Sequence, residues 1–136
     1  MTTSHPLKVS VQRAHHNHDE SDSLGTLDPS EILAAFDEID WLEQAAQAQT
    51  LQKVAPTFSV QQGPSLIWVS VAGQPPSIEF IASHSFPGEV KRLFGLLRSD
   101  GVIVNDRQDM TPQEARQAIA AFVKSDKATL IKLFDA

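Results

Sequence analysis

The chain has 136 residues, 41% hydrophobic and 21% charged, which fits one folded core and excludes a fibrous repeat or wholesale disorder. Cysteine is absent, which removes disulfides, thiolate nucleophiles and zinc sites that need sulfur ligands. The formal charge of -6 is uneven: no Lys or Arg falls between Arg13 and Lys53, a stretch with nine acids, while the remainder holds eight acids against eleven bases. Such a field disfavours nucleic acid and anionic lipid and favours a basic protein as partner. The start carries no signal pattern and no apolar run reaches the roughly 18 residues of a membrane span, so the expected setting is the cytoplasm.

Along the chain, Leu7, Val9 and Val11 alternate with Lys8, Ser10 and Gln12, the period-2 pattern of a half-buried strand. Residues from about 15 to 27 are polar and read as a mobile loop. Asp28-Pro29-Ser30-Glu31 combines an N-cap side chain, Pro at the first helical position and a Glu that closes a capping box. The helix it starts has Ile32, Leu33, Phe36 and Ile39 on one face. Asp40-Trp41-Leu42-Glu43 repeats the cap pattern, so the helix either restarts there or runs on to about Leu51.

From Pro56 the pattern becomes strand, turn, strand, turn, strand through Ser83, with connections so short that the strands must be antiparallel neighbours. The middle strand, Leu66 to Ala72, is apolar on both faces, which places it centrally with helix on one side. Phe86, Val90, Leu93, Phe94 and Leu97 fall at helical spacing and predict a short helix, followed by a brief strand at Val102-Ile103-Val104. Thr111-Pro112-Gln113-Glu114 is a second capping box, and Ala115, Ala118, Ile119, Phe122 and Val123 complete an apolar helical face. Ser125-Asp126 caps a last short helix. The expected fold is α+β, one domain over 1–136, with an antiparallel sheet made of the meander, an N-terminal strand and one later strand, packed with helices.

Few residues suggest chemistry. His15, His16, His18 and Asp19 are potential metal ligands, but adjacent ligands on a loop preform no geometry, and neither a metal nor a cofactor is expected. His84 stands near Ser83, Ser85 and Glu89 without a nucleophile motif, and no phosphate-binding glycine motif occurs. Glu79 reads as an outward strand residue, with a raised pKa only if it points inward. Trp68 has core spacing. Trp41, on the acidic helix beside Asp40, reads either as core or as a partly exposed interface anchor.

The element order over residues 6 to 124, with Met110-Thr111-Pro112-Gln113-Glu114-Ala115-Arg116-Gln117-Ala118 followed by Phe122, resembles bacterial immunity proteins of polymorphic toxin systems, in the family paired with deaminase-type and other nucleic-acid-damaging toxins. The resemblance implies an inhibitor without catalytic activity that covers the active-site mouth of a cognate toxin, a protein with a basic surface. The contact residues it suggests, together with the charge distribution, are Asp19, Glu20, Asp22, Asp37, Asp40 and Trp41. Two alternatives stand beside it: a secretion chaperone or adaptor, and an enzyme or small-ligand carrier with His84 and Glu79 in a hollow between meander and helices.

Overall fold

The computed structural model describes residues 6–92 and 97–135, with side chains described for 6–88 and 101–135. Strands β1 (Leu7–Gln12) and β2 (Asp22–Thr26) are followed by helices α1 (Pro29–Glu38) and α2 (Trp41–Leu51). Then come β3 (Thr57–Gln62), β4 (Ser65–Gln74), β5 (Ser77–Arg92), β6 (Leu97–Met110), α3 (Pro112–Val123) and α4 (Lys127–Phe134). The strands form one six-stranded sheet in the order β2-β1-β3-β4-β5-β6, every neighbour antiparallel. The α+β expectation holds, with β4 inside the sheet as its two apolar faces require.

The helices begin where their caps dictate. Asp28 Oδ1 accepts the Glu31 N–H at 2.8 Å while Glu31 Oε1 accepts the Asp28 N–H at 3.1 Å, and Thr111 and Glu114 make the same reciprocal pair at 3.1 Å each. Between α1 and α2 the chain restarts: Ile39 is extended at φ -76°, ψ 125°, and Asp40 accepts the Glu43 N–H to open a new helix.

Two segments differ from the sequence expectation. Asp22–Thr26, expected as loop, is an edge strand whose side chains are all exposed, so it is held by backbone pairing to β1 and not by any apolar pattern. Where it is described, the segment expected as a helix at 86–97 is strand: Phe86 to Arg92 continues β5 and pairs with Leu97 to Ile103 of β6, while Leu93 and Phe94 lie outside the described residues. The helical spacing there is overridden by long-range pairing with the β-branched run Val102-Ile103-Val104, which belongs to a 14-residue strand. Gly88 permits this close approach, because a Cβ there would collide with the Ile103 side chain.

The core lies between the sheet and the helices. Val9, Val60 and Ile67 form one row across β1, β3 and β4, and Val11, Phe58, Val69 and Ala82 form the next; all are buried. Phe36 of α1 meets Phe58 edge-on at 5.4 Å, and Ile32, Ala115, Ala118 and Ile119 complete the layer. Arg107 ties β6 to both closing helices: its guanidinium donates to the Leu133 carbonyl at 2.8 Å and to Glu114 Oε1 at 3.1 Å.

Candidate functional site: the open face of the sheet

Because side chains alternate along a strand, residues opposite one another in an antiparallel sheet share a face. The rows between the buried ones therefore lie on the other side. One is Ser10, Ser59, Trp68, Ser83 and Asp106; another is Lys8, Gln61, Leu66, Ser85 and Val104. The contacts of the four helices are with the opposite face: Trp41 packs on Phe80, the α2 end lies against Val71, and His84 meets Phe122 and Phe134. The Trp68 face is left uncovered by helix.

This open face is apolar in the middle and acidic at its margins. Leu66, Trp68 and Ile81 are half-buried, and Val102 and Val104 on β6 are 65% and 55% exposed. Asp106 stands in the Trp68 row two strands away, about 10 Å at the usual strand spacing. At the opposite margin the β1–β2 loop folds against the face, where Asp19 and Glu20 line a hollow with Ser10, Gln12, Thr57 and Ser59. Gln12 fixes that loop by donating through Nε2 to the carbonyls of His18 at 3.1 Å and Glu20 at 3.0 Å.

A third acidic point lies at the end of β5. Glu79 is exposed, as expected, yet its carboxyl is pushed above the ordinary value, first by a hydrogen bond to the Asp109 side chain and then by that group's charge. Asp109 is held there by a left-handed backbone at φ 61°. Among the described side chains, Lys8 is the one cation placed on this face, and none of Asp19, Glu20, Asp106 and Asp109 has an ion pair with a described Lys or Arg.

The six residues singled out from sequence are not brought together. Asp19 and Glu20 flank the open face. Asp22 is opposite Val11, so it belongs to the other face, with Arg13 Nε and His16 Nε2 each at 3.5 Å. Asp37 is neutralised by a two-pronged pair with Arg116 of α3, both contacts at 2.8 Å, and the guanidinium holds its carboxyl below the usual range. Asp40 is spent on capping α2. Trp41 is turned inward, 5.3 Å from Phe36 and 5.1 Å from Phe80, with its Nε1 buried and unpartnered among the described residues. The acidity of residues 14–52 is thus no single patch; Trp41 takes the core alternative of its reading, and Trp68, expected in the core, is half-buried on the open face.

A signal for Trp68 emerges only with the register: Ser10, Ser59 and Ser83 stand at the matching positions of neighbouring strands, a polar row although Ser83 itself is buried. The other candidates also separate. His16 accepts the Arg13 N–H through Nδ1 at 2.7 Å, and no group of three or more potential metal ligands converges among the described residues. Glu79 and His84, five apart on β5, lie on opposite faces of the sheet and cannot share a hollow. No described helix is long and apolar enough to cross a membrane. Comparisons with protein-family models, with curated proteins and with solved structures returned no match.

Proposed function

We propose that this chain is a binding protein that grips a basic partner protein across the open face of its sheet, and that it acts as an immunity protein whose partner is a cognate bacterial toxin. The observation that carries the reading is an apolar strip, Leu66, Trp68, Ile81, Val102 and Val104, bordered by Asp19, Glu20, Glu79, Asp106 and Asp109. A protein interface combines a desolvated centre, in which Trp is enriched, with a polar rim. Carboxylates without counterions among the described residues supply long-range attraction to a cationic surface, and so a fast, salt-dependent encounter. A toxin that acts on nucleic acid presents such a surface around its substrate groove. The resemblance in element order and in the Thr111 helix supports this choice of partner.

Co-production with a toxin encoded beside its gene tests the reading. The unaltered chain is expected to restore growth, and Trp68→Ser combined with Val104→Lys is expected to abolish protection while the protein stays folded. Continued killing in the presence of the unaltered chain contradicts the proposal.

A further inference from the structure

On the helix side, a cavity of about 390 Å³ opens where α3 and α4 stop short of the projecting part of β5 and β6. Its volume falls within the roughly 300–1,000 Å³ of small-molecule sites. The walls are aromatic and aliphatic: Phe86 from β5, Phe122 from α3, and Leu130 and Ile131 from α4. Ile131 is 61% exposed, an apolar side chain on a cavity wall with its surface still in water.

Polar groups enter from three directions, one of them Gln62 and Ser65 at the β3–β4 turn. His84 and Asn105 are direct partners across β5 and β6 and form the floor, and Ser125 and Lys127 stand at the junction of α3 and α4. The His84 ring lies 4.8 Å from Phe86 and edge-on to Phe122 at 5.6 Å. Burial among these rings pushes its pKa below the ordinary value, so at neutral pH the imidazole is uncharged and offers one donor and one acceptor. Among the described residues Lys127 is then the one charge on the lining, a cation in a chain of net charge -6.

We infer that this cavity binds a small monocarboxylate with an aromatic or branched aliphatic body, its ring against Phe86, Phe122 and Ile131 and its carboxylate toward Lys127. A single ammonium on a flexible stem suits one negative charge. A phosphate would call for an Arg fork or more than one cation, and among the described residues the lining has neither. The Asn105 amide and the neutral His84 can hold a second polar group of the ligand. The site lies across the sheet from the open face and is independent of the toxin-binding reading.

Titration of the full chain with 3-phenylpropionate and with 3-phenylpropionamide, followed by amide and methyl NMR, tests the inference. The acid is expected to shift signals of His84, Asn105, Leu130 and Ile131 and to bind about tenfold more tightly than the amide. Lys127→Gln should remove that tenfold preference and leave amide binding unchanged, whereas Lys132→Gln, elsewhere on α4, should change neither. Equal affinity for acid and amide overturns the inference, as do shifts confined to other regions or no shift at millimolar ligand.

Discussion

The two faces of this sheet are made by the same strands, and β4 shows the difference residue by residue. Ile67, Val69 and Val71 are buried against the helices; on the other face Leu66, Trp68 and Ala72 keep part of their surface in water, while Ser70, hydrogen-bonded to Thr57, is buried. The helix side closes by apolar contact and pairs some of its charges internally, Arg107 with Glu114 and Arg116 with Asp37. The open side has apolar residues without a cover and carboxylates without counterions among the described residues. One face commits its side chains to folding, and the other leaves part of its apolar and acidic surface exposed.

Substitutions should therefore separate into two classes. The largest effect is expected for Phe58→Ala, which empties a fully buried ring position and costs about 3–5 kcal/mol in urea denaturation. Trp68→Ser on the opposite face should cost about 1 kcal/mol, the general level for a substitution outside the core, and a core-sized loss there would break the distinction. Arg107→Leu comes next. Breaking a fully buried ion pair costs 3–5 kcal/mol, but these partners are 15% and 28% exposed, so about 2 kcal/mol is expected. Thr111→Ala, which leaves the first turn of α3 uncapped, should cost about 1 kcal/mol.

Smaller effects distinguish the faces through pH. Asp37 has a depressed carboxyl pKa, so its pair with Arg116 stabilises fully above the unfolded value near 4, and that contribution is lost as pH falls through the folded value. The pair is about half exposed, so Asp37→Asn should cost at most about 1 kcal/mol at pH 7 and nothing in acid. Glu79 has the opposite sign. Its raised pKa means that the ionised pair with Asp109 opposes folding above the folded value, and the penalty lifts as pH falls below the unfolded one. Glu79→Gln should raise the urea midpoint slightly at pH 7 and leave it unchanged at pH 3.

The fold was legible where its causes are local. The capping boxes at Asp28 and Thr111, the alternation in β1 and the short turns of the meander each depend on residues a few positions apart. The edge strand β2 was not legible, because Asp22-Ser23-Leu24-Gly25-Thr26 has no apolar period and is held by backbone pairing, helped by the Asp22 side chain near Arg13 and His16. Residues 86–97 misled because their helical spacing is genuine but competes with pairing to a strand that arrives later in the chain. The site was the least legible part. A count of charges along the chain cannot tell Asp37, which meets Arg116 from a distant helix, from Asp106, which meets no described cation. Nor does alternation in a strand apolar on both faces say which face the helices cover.

The protein carries one tryptophan on each side of the sheet, which permits a direct reading of the open face. Trp41→Phe leaves Trp68 as the sole tryptophan; it gives up an indole N–H without a described partner and part of a packed ring, which costs some stability, but it keeps an aromatic ring against Phe36 and Phe80, so the fold should be retained. Quenching of Trp68 fluorescence by caesium and by iodide, each scaled to its effect on a free tryptophan amide, then reports both exposure and local potential. Caesium is expected to quench Trp68 more effectively than iodide at low salt, with the difference fading as ionic strength rises. Equal or preferential quenching by iodide, or no quenching by either ion, would contradict an uncovered acidic face around Trp68.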